Sequence, residues 1–170
     1  VEIQEVAIRL IGEHLEANRV NYSYIDGDEF VVSRSFTRGV QPFTGRGQLA
    51  LFGKAIAHAC GRGETVVVDD VSADPRLTDA ECGQLVARET VAFVGVPLIK
   101  DGQWLAVFGV HSAAPRRWTA DQVALVKVTA ERTWNTGEHA RAEEALSRSR
   151  NRQAFLRRLS DAVRPLADPA

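Results

Sequence analysis

An α+β domain centred on a mostly antiparallel sheet is what the sequence predicts, and three observations carry that expectation. Strand-forming runs flank Asp26-Gly27 and again Asp101-Gly102, a dipeptide that strongly marks a tight hairpin. Helical periodicity bounds these runs at both ends of the chain. Finally, 170 residues at 45% hydrophobic and 25% charged suffice for one compact core with some chain left over.

Each element follows from local pattern. Ile3, Val6, Ala7, Leu10, Ile11, His14 and Leu15 recur at helical spacing, which gathers them on one face and leaves Glu2, Glu5, Arg9 and Glu13 mostly outside. No capping residue opens this helix. Val20 to Ile25 and Phe30 to Phe36 form the first hairpin, and Val94 to Lys100 with Gln103 to His111 form the second. In the second, Leu105, Val107 and Gly109 alternate with Trp104, Ala106, Phe108 and Val110. Neither face is polar, which predicts central strands covered on both sides.

Between the hairpins, Phe52, Ala55, Ile56, Ala59 and Cys60 make a short helical stripe ending at Gly61, where a left-handed residue is easily tolerated. Val66, Val67 and Val68 form a buried strand, and Asp74-Pro75 opens an irregular turn. Thr78 with Glu81 fits a capping box for a short helix carrying Cys82, Leu85 and Val86, and Thr119 with Gln122 repeats that signature. From Thr119 to about Leu166 no proline intervenes before Pro165, so a continuous helix would reach roughly 70 Å. Its middle, HARAEEALSRSRNRQ, has few large apolar residues and needs a partner helix or solvent; Phe155, Leu156, Leu159, Val163 and Leu166 then restore an apolar stripe.

Composition narrows the function classes. Net charge is −1 and no basic block stands apart from acidic neighbours, so the phosphate attraction that nucleic-acid binding relies on is missing. No apolar run approaches a bilayer-spanning length and no signal-peptide pattern opens the chain, so direct membrane contact is not expected. Two cysteines, Cys60 and Cys82, are too few for a disulfide framework and suit a reducing cytoplasm.

GETVVVDDVSADPRL at 63–77, VGVPLIKDG at 94–102, WLAVFGVHS at 104–112 and PRRWTADQ at 115–122 follow one another in the order and spacing of a GAF domain. The chain resembles that family over roughly residues 1–134, with 135–170 as a helical linker or signalling helix. The resemblance implies a GAF-like sheet flanked by helices, and a non-catalytic regulatory module of a multidomain signalling protein such as a sensor histidine kinase or a cyclic-di-nucleotide enzyme. It also implies a homodimer joined through terminal helices, relaying a change of pocket or packing to an output domain in the same polypeptide. Truncation after Gly137 is then expected to give a monomer.

GAF domains often hold a small molecule between the sheet and a loop-helix segment, here about Val40 to Thr90. The candidate ligand contacts are Tyr22, Tyr24, Phe36, Phe43, Phe52, Cys82 and Phe93. Bilin-binding relatives attach the tetrapyrrole through a cysteine typically followed by histidine, whereas Gly61 follows Cys60 and Gly83 follows Cys82. The Asn-Lys, Phe, Asp-Glu signature of cyclic-nucleotide-binding relatives has no counterpart, Asp28-Glu29 lying in a hairpin. No histidine stands out as a haem ligand. The ligand is therefore left open.

Metal binding is not expected, because His14, His58, His111 and His139 are scattered and neither cysteine has a partner at ligand spacing. Catalytic glycine motifs and a paired nucleophile are missing as well. Asp69 and Asp70 read as capping or turn-forming residues at a strand end. The alternatives are a redox-active GAF enzyme using Cys60 or Cys82, or a purely structural dimerisation spacer. Leu166 to Ala170 sets Asp168 as an N-cap and Pro169 as a first helical residue, which suggests entry into the lead helix of a second module or a rearranged numbering.

Overall fold

The structure, a computed structural model, describes residues 2–163, with side chains described at 4–137, 151–153 and 155–156. The expected cap at Asp168 and the stripe positions Leu159, Val163 and Leu166 lie outside the described side chains.

Helix α1 spans Glu2–His14, followed by strands β1 (Arg19–Asp26), β2 (Glu29–Thr37) and β3 (Arg46–Gln48). A 3₁₀ turn at Leu49–Phe52 leads into α2 (Lys54–Gly61), β4 (Val66–Val68) and α3 (Asp79–Val86). The second hairpin, β5 (Ala92–Lys100) and β6 (Gln103–Ser112), precedes the long helix α4 (Ala120–Val163). The strands form one sheet in the order β3-β2-β1-β6-β5-β4, and all five pairings are antiparallel. Both Asp-Gly hairpins form. In the second, Asp101 and Gly102 both have positive φ, 51° and 75°, as a two-residue turn matched to strand twist requires.

Residue parity divides the core into two layers. Val20 and Tyr22 of β1, Val94 and Val96 of β5, and Phe108 and Val110 of β6 pack under Ile8, Ile11 and Leu15 of α1 and Val126 and Ala130 of α4. On the opposite face, Ile56, Ala59 and Cys60 of α2 and Leu85 of α3 pack over Val66, Val68 and Phe93. Each fully buried aliphatic side chain contributes about 1.5–3 kcal/mol, so both layers are needed to hold the sheet.

The motifs that carry the family resemblance act as staples. Asp69 accepts a hydrogen bond from the Trp118 amide at 3.0 Å, while the Trp118 indole N–H donates to the Val68 carbonyl at 3.2 Å. Asp70 accepts from the Ser72 amide at 2.8 Å, closing a turn. Arg76 donates to the Val67 carbonyl and to Asp74, whose carboxyl it holds below its ordinary range. The Trp118 bonds tie edge strand β4 to the segment that enters α4, and Arg76 ties the strand to the turn at 74–76.

Both capping boxes form: Thr78 and Glu81 exchange bonds at the start of α3, and Thr119 and Gln122 do so at the start of α4. Four expectations need correction. Phe52 belongs to the 3₁₀ turn rather than to α2, because Gly53 at φ 93° breaks the chain between them. The left-handed residue after α2 is Gly63, at φ 83°, and Gly61 completes the helix. His14 and Val86 are exposed, since the α1 and α3 faces they occupy have no layer above them. Strand β3 was not expected from the sequence, since it has no apolar alternation; it is held by pairing with residues 29–31. Among the described residues no helix is long and apolar enough to cross a membrane.

Candidate ligand-binding site

The site grows from three rows that cross the sheet on its α2 face. Arg19 pairs with His111, which pairs with Phe93, which pairs with Val68. In the next row Asn21, Gly109, Gly95 and Val66 stand side by side. Ser23, Val107 and Pro97 follow. The middle row has two consecutive glycines, so the sheet there presents no side chain to α2. The result is a cavity of about 60 Å³ floored by Asn21, Ser23, Gly95 and Gly109 and walled by Phe30, Phe52, Phe93, Ile56, Cys60 and Trp104.

His111 is the polar centre of this cavity. It is 3% exposed, and its Nδ1 is buried without a hydrogen-bond partner. Its ring lies among those of Phe43, Phe52 and Phe93, at centroid distances of 5.6, 5.8 and 6.0 Å. Burial, reinforced by the nearby Arg19 charge, pushes the imidazole down to about 3. The ring is neutral at physiological pH.

Arg19 holds the rim. Its guanidinium donates to the Thr90 hydroxyl at 2.9 Å, to the Gln41 carbonyl at 2.6 and 3.1 Å, and to the Arg88 carbonyl at 3.1 Å. Phe43 lies over the same guanidinium, 4.0 Å from Cζ to the ring centroid. Desolvation lowers this arginine's pKa and Glu89 partly restores it; it remains cationic. The 38–45 segment that carries Phe43 is bracketed by Gly39 and Gly45 at φ 71° and 73°. Outside it runs a groove of about 700 Å³ lined by Gln41, Thr44, Lys54, Gln84 and Arg88 among others. Phe30 and Phe43 line both spaces and so stand between cavity and groove.

Of the residues expected at a ligand, Phe43, Phe52 and Phe93 come together around the cavity. Tyr22, Tyr24 and Phe36 do not: they face α1 and α4 on the other side of the sheet. Strand parity is the reason for the tyrosines, which alternate with Asn21 and Ser23. For Phe36 the cause is a bulge. The register shifts between Tyr22 and Ser23, leaving Ser33 unpaired, so Phe30 and Phe36, six residues apart, lie on opposite faces. Phe36 instead covers Gly12 of α1, where a Cβ would collide with its ring. Cys82 is half-buried on α3 beside the second core layer, its Sγ 3.6 Å from the Ser72 hydroxyl, and does not line the cavity.

His111, Asn21, Ser23, Gly95, Gly109 and Cys60 were absent from the expected set. The available signal was the polar pair Asn21/Ser23 interrupting an apolar strand and a glycine on each strand of the second hairpin. Cys60 has its thiol pushed up to about 11 by burial, which makes it a poor nucleophile. Among the described residues no three His, Cys, Asp or Glu side chains gather as metal ligands.

A core layer of helices on each side of a six-stranded antiparallel sheet, with a cavity under the α2 face, defines an α+β domain of the GAF type. The GAF domain family model matches residues 1–136, and the chain belongs to that family. No curated protein matches it.

Among solved structures, the blue-light absorbing form of the PixJ GAF domain of Thermosynechococcus elongatus superposes with a TM-score of 0.71 at 19% identity, covering 86% of this chain and 89% of that one. The domain of a protein described as a two-component sensor histidine kinase from Sinorhizobium meliloti gives 0.63 at 16% identity, with coverages of 85% and 94%. A far-red absorbing domain with bound biliverdin gives 0.63 at 15%, with coverages of 74% and 82%. These likenesses establish the shared fold.

The residues present do not fit a covalently attached tetrapyrrole. Pockets for drug-sized ligands run to about 300–1,000 Å³, well above the cavity's 60 Å³. The outer groove is large enough, but neither Cys60 nor Cys82 lines it.

Proposed function

We infer that this GAF domain is a non-catalytic sensory module that couples the state of its cavity to helix α4, and through α4 to an output domain of the same polypeptide, such as a histidine kinase. The observation that carries this reading is the path of α4. Its first turns supply Val126 and Ala130 to the core over the sheet, and the same helix then runs on to Val163 without a break. The cavity lies on the other face of the same strands, so a change in its packing reaches this helix through β1, β5 and β6, as a two-state signalling element requires. Likeness to a histidine kinase domain and to photoreceptor GAF domains supports the assignment by analogy.

Dimerisation through the terminal helices is part of this proposal. Val6 and Leu10 of α1 and Leu125 and Val128 of α4 are exposed apolar residues, 39%, 56%, 38% and 46% accessible, on the paired helices. A second copy laid against them would remove that surface from water. Phe155 and Leu156, 63% and 49% accessible, would extend the seam along residues 135–170. Because part of the apolar face precedes Gly137, the sharper test is Leu10→Glu with Val128→Glu rather than truncation alone. Light scattering should show a dimer for the parent and a monomer for the double variant; a parent monomer at high concentration would sink the dimer model.

The sensory reading is tested by mass spectrometry of the purified chain under native and denaturing conditions. Extra mass that vanishes on denaturation supports a noncovalent ligand. Bare chains that also fail to bind any small molecule across a broad thermal-shift screen would favour a structural spacer. The module is taken to work in the cytoplasm, where its two thiols stay reduced.

A further inference from the structure

We propose that the cavity beneath Phe43 binds an uncharged single-ring ligand bearing a hydroxyl, phenol being the simplest, with the hydroxyl paired to the imidazole of His111. The inference rests on the sensory reading above and specifies its ligand chemistry.

The cavity exists because two glycines pair across adjacent strands. Gly95 and Gly109 are partners in β5 and β6, in strands that otherwise carry mostly apolar side chains. Glycine inside a strand weakens it and often marks the close approach of something else. Over Gly109 that something is the His111 ring, which a Cβ would strike. Over Gly95 the space is open: a Cβ there would meet nothing nearer than Cys60 Sγ at 3.9 Å.

Charge is excluded by the lining, which contains no Arg, Lys, Asp or Glu. An ammonium seated there would lose its hydration without gaining a partner, and a carboxylate would meet only the Arg19 guanidinium at the rim, whose donors are already committed to Gln41, Thr90 and Arg88. One polar demand remains, the imidazole of a histidine that is 3% exposed: its Nδ1 has no partner, and its Nε2 stands over Gly109 of the cavity floor. Leaving a buried polar atom unpaired is costly, so a ligand that pairs it gains specificity as well as affinity. A hydroxyl is suited to the imidazole because it donates to an unprotonated ring nitrogen or accepts from a protonated one, whichever tautomer is present.

Size sets the mode of entry. An apolar cavity of about 150 Å³ accepts a benzene ring, and this one measures about 60 Å³. A ring enters when Phe43 withdraws into the outer groove, pivoting between Gly39 and Gly45. The ligand ring then takes the place of the Phe43 ring against His111, Phe52 and the Arg19 guanidinium, all of which Phe43 now touches. The ligand thus replaces an internal stopper, which links occupancy to the position of the 38–45 segment.

The test uses the full 170-residue chain with phenol, toluene and benzoate as probes at submillimolar concentration. Phenol should raise the melting temperature and change the emission of Trp104, which lines the cavity. Toluene should bind at least about tenfold more weakly, the equivalent of one hydrogen bond, and benzoate should have no effect at neutral pH. In ¹⁵N-histidine spectra phenol should shift the His111 ring nitrogens. Gly95→Leu fills the cavity and should abolish the response; if that variant fails to fold, Gly95→Ala should weaken it several-fold. His111→Phe should make phenol and toluene equivalent. Equal responses to phenol and benzoate, toluene matching phenol on the unmodified chain, or a phenol response unchanged in a folded Gly95 variant would each overturn the assignment. A charged molecule found by native mass spectrometry in the cavity would overturn this chemistry and leave the sensory module standing. A phenol response in a chain whose dimer and α4 do not respond to occupancy would do the reverse.

Discussion

Phe43 lies over the guanidinium of Arg19 at 4.0 Å, so the residue that closes the cavity is seated on the residue that fastens its loop. Arg19 spans the gap between β1 and the end of α3, with its planar fork satisfied by the Gln41 and Arg88 carbonyls and the Thr90 hydroxyl. A lysine cannot reproduce that fork. Arg19→Lys is expected to cost about 1–3 kcal/mol in urea denaturation and to speed amide exchange across residues 40–45. Unchanged exchange there would show that the loop is held by something else.

The paired glycines predict opposite responses to the same added methyl. Gly95→Ala places a Cβ in open space and restricts the unfolded chain, so it should be neutral or stabilising by about 0.4–1 kcal/mol. Gly109→Ala drives a methyl into the His111 ring and should destabilise by about 1–3 kcal/mol. Thermal denaturation of the two variants side by side decides it; equal effects would contradict the geometry of the cavity floor.

His111 predicts an acid-sensitive term in stability. Its folded pKa, about 3, lies below the ordinary histidine value of 6.5, so between those limits the unfolded chain binds the extra proton. The contribution is fully present above pH 6.5 and declines as pH falls toward 3, by at most about 1.4 kcal/mol per pH unit. Urea denaturation of the parent and of His111→Phe from pH 7 to pH 4 should show a shallower pH slope in the variant. Parallel slopes would place the acid sensitivity on other groups.

Thiol reactivity separates the sensory reading from a redox enzyme. Cys60 is buried and its thiol is pushed up to about 11, so iodoacetamide should modify the half-buried Cys82 well before it. Rapid alkylation of Cys60 in the folded chain, located by peptide mass spectrometry, would reopen the catalytic alternative.

Local chemistry was enough to determine the frame. Each Asp-Gly turn and each capping box rests on neighbours within a few residues and formed where sequence placed it. Helix α1 formed too, but Ile8, Ile11 and the following Leu15 are buried, while Val6, Leu10 and His14 of the expected stripe are exposed. The GAF motifs were legible for the same reason: Asp69, Asp70 and Asp74 bind backbone and side chains close to the strand they terminate, or the Trp118 segment stapled to it. The cavity was legible only in part. Phe43, Phe52 and Phe93 could be suspected as aromatic residues near the variable segment. Tyr22, Tyr24 and Phe36 were equally aromatic and belong to the other layer.

Only the tertiary structure decided between the two faces, because a strand's side chains alternate and a single unpaired residue reverses the alternation. The bulge at Ser33 sends Phe30 to the cavity and Phe36 to α1, and no local property of either phenylalanine reveals it. The same holds for His111, whose neutrality and unpaired Nδ1 come from residues brought together across three strands and a loop. Sequence determined which elements form, through forces that act over a few residues. The site was decided by register between strands far apart in the chain, which the pairing of the whole sheet sets.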